Sequence, residues 1–142
     1  MNVREIKFRA WEKNLKEIIP VHNIDFEKKM INTESAWRCF DEIELMQYTG
    51  LRVNGEQPLF EGDIVPVKVS IHKGWKEGWL HFNRNAAVEY VESEMRFMFT
   101  ANIAGFGKQY IPFDKSIRQS YKITGNIFDN PELLEVQDEQ GD

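Results

Sequence analysis

Alternation of apolar and polar residues with a period of two dominates this chain and predicts strands. In Ile6-Lys7-Phe8-Arg9-Ala10-Trp11, Ile6, Phe8 and Ala10 share one face, and Lys7, Arg9 and Trp11 the other. Glu12-Lys13-Asn14 reads as a turn into a returning strand over Leu15–Val21, with Pro20 at its edge or end. Residues 22–42 fit a short strand–turn–strand or a weak helix, with Ile24, Phe26, Met30 and Ile31 separated by charge. A further strand over Glu42–Tyr48 leads to Thr49-Gly50, and Asn54-Gly55 marks a tight turn.

After Glu61-Gly62-Asp63 comes the clearest strand of all. Val65, Val67, Val69 and Ile71 lie on one face, and Lys68, Ser70 and His72 on the other. Pro66, on the second face, calls for a sheet edge or a bulge. Short strands are expected at Trp79–Phe82, Ala87–Val91, Phe97–Thr100, Gln109–Phe113 and Tyr121–Phe128, with Ala104–Gly107 as a loop. Gly125, inside the last of these, points to a bulge or a close backbone approach. Asn130-Pro131-Glu132 then starts a helix of one or two turns, with Asn130 as its cap.

The expected fold is therefore mostly β. It has an N-terminal β element over 1–50, a partly closed barrel-like core over 51–134, a short C-terminal helix, and a flexible acidic tail over 135–142. Aromatics at 13% of 142 residues are ample for a core, which a disordered chain lacks. Nothing resembles an apolar leader or a membrane span. The single cysteine, Cys39, lies near Trp37 and Phe40, and reads as a small buried hydrophobe in a reducing compartment. A cytoplasmic location is the expectation.

Candidate chemistry is sparse. His22, His72 and His81 have no metal-ligand spacing, although His72 and His81 can meet across a hairpin with Glu77. The carboxylate pairs Glu42/Glu44 and Glu61/Asp63 are unremarkable among 23 acidic residues. Ala104-Gly105-Phe106-Gly107-Lys108 lacks the spacing and the hydroxyl of a phosphate loop. No catalytic residue, metal site or cofactor is expected.

The net charge of −5 opposes binding to nucleic acid unless a local basic face overcomes it. Lys7, Arg9 and Trp11 offer one such face, and Lys73 and Lys76 beside Trp75 and Trp79 a second. Trp75, Trp79, Phe97, Met98 and Phe99 form the candidate protein interface, Arg96–Phe99 being apolar on both faces of its strand. Those residues serve either a core or a neighbouring subunit.

Four stretches in order carry a family resemblance. They are Arg4–Trp11, Leu45–Leu51, Glu61-Gly62-Asp63-Ile64-Val65, and Thr124–Leu134. Together they resemble the YopX proteins of phages and prophages in Firmicutes and related bacteria. The resemblance implies a β-rich, phage-associated protein that self-associates, and brings no activity, cofactor or site residue; Ser70–Ser120 departs from the pattern. The expected function is that of a phage or prophage accessory protein. It binds without catalysis, as a homo-oligomer and with a host or phage protein as partner; the alternative is a nucleic-acid-binding barrel.

Overall fold

In the computed structural model, which describes residues 4–34, 36–116 and 121–135, twelve strands form three antiparallel sheets. The first sheet has the order β2-β1-β6-β7, with β1 at Phe8–Glu12, β2 at Glu17–Pro20, β6 at Ile43–Val53 and β7 at Gln57–Phe60. A three-stranded meander joins β3 (Asn23–Asp25), β4 (Met30–Thr33) and β5 (Ala36–Cys39). The third sheet, curled into a half-barrel, has the order β11-β10-β9-β8-β12. Its strands are β8 (Asp63–His72), β9 (Trp79–Val91), β10 (Arg96–Ile103), β11 (Gly107–Ile111) and β12 (Gly125–Asn126).

The meander settles the ambiguity of residues 22–42 in favour of strands. The mixed period there hides a buried Ile31 opposite Ile24, with the remaining side chains of the outer face left open. Pro20 lies opposite Arg9 on β2, an edge strand, where no ladder bond is lost. Pro66 obeys the same rule. β12 pairs with β8 only at Asp63 and Ile64, and among the described residues no strand pairs with that edge of β8 beyond this point. The two strands expected at 79–82 and 87–91 are one, β9, which runs through the polar Asn83-Arg84-Asn85. Of the strand expected over 121–128, only Gly125 and Asn126 pair.

One strand serves both halves of the chain. Residues of β6 from Ile43 to Gln47 pair with β1, and those from Tyr48 to Val53 pair with β7. The expected boundary at 50/51 therefore falls inside a continuous strand. A register shift between Tyr48 and Arg52 bends β6 there, with Gly50 at φ +91°. A side chain at that φ is strained, and its Cβ would also lie 3.4 Å from Arg4 Cδ. Gly50→Val is expected to destabilise the protein by at least about 1–2 kcal/mol, read as a lower urea midpoint with an unchanged slope.

Two cores follow from this arrangement. The larger fills the half-barrel: Val65, Val67 and Val69 of β8 meet Phe99 of β10 and Leu59 of β7, with Val53 of β6 closing the open side. The smaller joins Ala10, Ile19 and Ile43 to Ile31 of the meander. The C-terminal helix is a single 3-10 turn at Pro131–Leu134. Asn130 does not cap it. Its side chain instead accepts a bond from the Asn126 amide at 3.2 Å and fills the space above Gly125, where a Cβ would stand 2.8 Å from Asn130 Cγ. Gly125 therefore marks a close approach by a side chain, where a bulge or a close backbone approach was expected. The expected acidic tail, apart from Glu135, lies outside the described residues.

Candidate interaction surface

The β8–β9 hairpin is the longest paired element, in register from Ile64↔Ala87 to His72↔Trp79. Its inner face is held by Val65, Val67 and Val69 from one strand and Phe82, Ala86 and Val88 from the other. Towards the end, Ile71 and Leu80 still pack against this core, which anchors the arm. The reversal over Lys73–Gly78 is closed by the Lys73 amide donating to Gly78 O at 2.9 Å and the Gly78 amide donating to Gly74 O at 2.8 Å. Its two indoles stand largely open to solvent, Trp75 at 89% exposed and Trp79 at 60%. His72 packs edge-on against Trp79 at 4.9 Å, and Lys73 pairs with Glu77 at 3.8 Å. Scattered exposed apolar residues are ordinary; here two exposed indoles stand four residues apart at one hairpin end, with Lys73 and Lys76 beside them.

The other expected interface residues are placed differently. Phe99 is fully buried and Met98 is 3% exposed, so both are interior residues of this chain and are unavailable to a partner. β10 is covered on both faces, and its apolar character serves packing within the chain. Phe97 is half-buried, set edge-on against Tyr90 at 5.2 Å, beside an open cavity of about 600 Å³ lined by Arg4, Tyr90, Met95 and Phe113.

The first basic–aromatic face is spent inside the molecule. Arg9 donates to Asp63 at 2.8 Å and to the Glu61 carbonyl at 3.3 Å. Trp11 stacks on Phe128 at 5.1 Å, and Lys7 lies 3.6 Å from Glu5 and 4.9 Å from the Tyr48 ring. Arg9 and Trp11 thus fasten the N-terminal sheet to the half-barrel, while Lys7 stays on the N-terminal sheet. Of the residues expected to contact nucleic acid, Lys73 and Lys76 stand at the hairpin tip.

The remaining candidate chemistry resolves into local structure. His81 Nδ1 bonds Ser70 Oγ at 2.8 Å while His72 packs on Trp79, so the two rings are separately engaged. His22 is exposed, away from both in sequence. Glu42 pairs with Arg38 at 3.9 Å and Glu44 with Lys13 at 3.6 Å. Glu61 accepts the Gln47 amide at 2.8 Å, and Asp63 accepts the Phe60 amide at 2.8 Å. Residues 104–106 form a hairpin turn between β10 and β11, and Lys108 bonds Glu89 at 3.0 Å.

Cys39 is half-buried, with its thiol within 4.8 Å of carboxylate oxygens of Asp41 and Glu42. Burial, then the charges of Glu42 and Asp41, push that thiol's pKa up, which disfavours the thiolate needed for nucleophilic attack or soft-metal binding.

Among the described residues three charged side chains are buried, Glu12, Asp63 and Arg84. Asp63 is 2% exposed, and burial raises its carboxyl above the usual range although Arg9 and the Phe60 amide oppose the shift. Glu12 is buried as well and holds the 13–16 turn, accepting the Asn14 amide at 2.8 Å and the Leu15 amide at 3.3 Å, with Arg38 3.8 Å away. Arg84 lies on the core face of β9, its guanidinium 4.9 Å from the Phe82 ring.

Together these features define a class: a small all-β protein in which a two-part N-terminal β region is clasped to a half-barrel that bears a projecting aromatic hairpin. The chain belongs to the YopX family, whose model, described as YopX protein, matches residues 7–135. The fold is similar to that in the crystal structure of protein EF1440 from Enterococcus faecalis, with a TM-score of 0.62 and 24% identity over 94% of this chain and 100% of that one. At that identity the likeness is one of fold. No curated protein matches the chain. Among the described residues, no helix is long and apolar enough to cross a membrane.

Proposed function

We propose that this protein works by binding rather than by catalysis, and that the tip of the β8–β9 hairpin is its contact element. The observation that carries the reading is Trp75, 89% exposed on an arm whose base is anchored in the core. Burying one such indole removes on the order of 150–250 Å² of apolar surface from water, and tryptophan is enriched among interface hot spots. Protein is favoured over nucleic acid as the ligand. Arg9 is committed to Asp63 and Lys73 to Glu77, which leaves little of the basic track that a phosphate backbone needs. In keeping with the phage and prophage proteins it resembles, the setting is that of an accessory factor in a bacterial cytoplasm, with self-association part of its action.

Trp75→Ala combined with Trp79→Ala tests this. The double variant is expected to keep the wild-type far-ultraviolet circular dichroism and lose at least tenfold in affinity for its protein partner, or fall to a lower solution mass. Unchanged assembly and unchanged capture of protein would sink the proposal. Retention that disappears with nuclease and falls steeply with salt would transfer the tip to nucleic acid.

A further inference from the structure

The occupant that fits the hairpin tip is presented by the chain itself. Among the described residues, no other strand or core cluster packs on the outer face of the β3–β5 meander. Met30 lies opposite Cys39 and Asn32 opposite Trp37 in the β4–β5 register, so these four side chains share one face. Trp37 is 51% exposed. Beside it is an open cavity of about 390 Å³ lined by Asp25, Lys28, Met30 and Trp37, with room for an indole. The opposite face of the meander is already used, Ile31 being fully buried in the smaller core and Arg38 reaching Glu12.

Charge decides between partners. Residues 68–81 carry three lysines against one carboxylate, on a chain whose net charge is −5. Residues 23–42 carry five carboxylates against three cations, Arg38 pairing with Glu42 inside the segment and with Glu12 outside it. The aromatic tip, on a segment of net positive charge, thus meets an apolar hollow on a segment of net negative charge, with Asp25 and Lys28 at the hollow and Asp41 within 4.8 Å of the Cys39 thiol on the same face.

We infer that the tip of one copy docks on the β3–β5 face of the next, with Trp75 entering the hollow beside Trp37 and Met30. This rests on the proposed binding role of the hairpin and names its partner as a second copy of this chain. The two surfaces differ, so the contact is heterologous and propagates head to tail, closing into a ring if the rotation allows and otherwise extending. A contact made mainly by one hairpin tip buries less than the roughly 1,600 Å² of a standard interface. Assembly is therefore expected at high protein concentration and low salt, and is weakened as salt screens the charged rims.

Complementation of two variants tests the geometry. One variant loses its tip (Trp75→Ala with Lys76→Glu) and keeps its face; the other loses its face (Trp37→Ala with Asp41→Lys) and keeps its tip. Mass is read by light scattering on a sizing column up to about 1 mM, a range that captures weak association. Circular dichroism confirms that both variants fold.

The wild type is expected to assemble, and each variant alone to remain at the monomer mass of 16.8 kDa. An equal mixture of the two is expected to form a dimer and nothing larger, because a single intact tip–face pair remains. A face-deficient variant that assembles like the wild type would overturn the inference in favour of another contact. A wild type that stays monomeric throughout would overturn it too. If that monomer still captured another protein through Trp75 and Trp79, the binding role of the hairpin would stand without self-docking. A tip-deficient variant that assembles normally would overturn both readings.

Discussion

Phe99→Ala is expected to cost about 3–5 kcal/mol, enough to leave a domain of ordinary stability largely unfolded at moderate denaturant. Phe99 is fully buried at the centre of the half-barrel, opposite Val88 on one side and Ile111 on the other. Its ring meets Phe113 edge-on at 4.7 Å and Tyr121 at 5.6 Å, so it holds down the two segments that cover the open side of the curled sheet. Truncation removes the transfer energy of the ring, leaves a cavity, and forfeits two edge-to-face contacts worth about 0.5–1.5 kcal/mol each. The check is a urea titration, in which the midpoint falls sharply at an unchanged slope. Trp75→Ala in the same experiment is expected to stay within about 0.5 kcal/mol of wild type, as a surface substitution should. That contrast separates the aromatics that build the fold from those left open to solvent.

The second large effect is expected at the clasp between Arg9 and Asp63. Both side chains are largely withdrawn from water, and removing one leaves the other charged and buried, at a cost of about 3–5 kcal/mol. Asp63→Ala therefore strands the Arg9 guanidinium and also deprives the Phe60 amide of its acceptor.

Arg9→Met has a distinct pH signature. Burial already raises the Asp63 carboxyl above its unfolded value, with Arg9 acting in the opposite direction. A carboxyl raised on folding contributes stability that is fully present below its unfolded pKa, about 3.9, and lost as pH rises through the folded pKa. Without Arg9 the folded pKa climbs further, so the variant loses more at neutral pH than in mild acid. Urea midpoints at pH 5 and pH 7 should show a larger gap between wild type and Arg9→Met at pH 7. An equal gap at both would mean that Asp63 stays ionised without its partner.

Local chemistry made some of this fold legible from the sequence. The valines of β8 alternate because a single face of that strand meets the barrel interior, and Pro66 disclosed the edge that no described strand pairs beyond Ile64. Asn54-Gly55 turned as its residue types require, both at positive φ, with the Glu56 amide bonded to Val53 O at 3.2 Å. What failed shares one physical cause: a period of two assigns a residue to a face, but does not say what covers that face. Arg9 and Trp11 sit on the polar side of β1, yet Asp63 and Phe128 arrive there from far along the chain.

Met98 likewise lies on the face of β10 opposite Phe99 and is buried all the same. Asn83-Arg84-Asn85 imitates a turn by composition because Arg84 is a cation on a core-facing position. The hairpin tip was legible as a cluster, since Gly74 and Gly78 bracket Trp75, but its exposure depends on how far β8 and β9 run before they part.

The central claim is that Trp75 is where a partner protein lands. A photo-cross-linking amino acid placed at position 75, irradiated in bacterial cells expressing the protein, tests it most directly. The account predicts a covalent adduct to protein, resistant to nuclease, from position 75 and from position 79 but not from the equally exposed Met95 at the far end of the same sheet. Adducts from position 95 with none from 75, or adducts to nucleic acid alone, would contradict it.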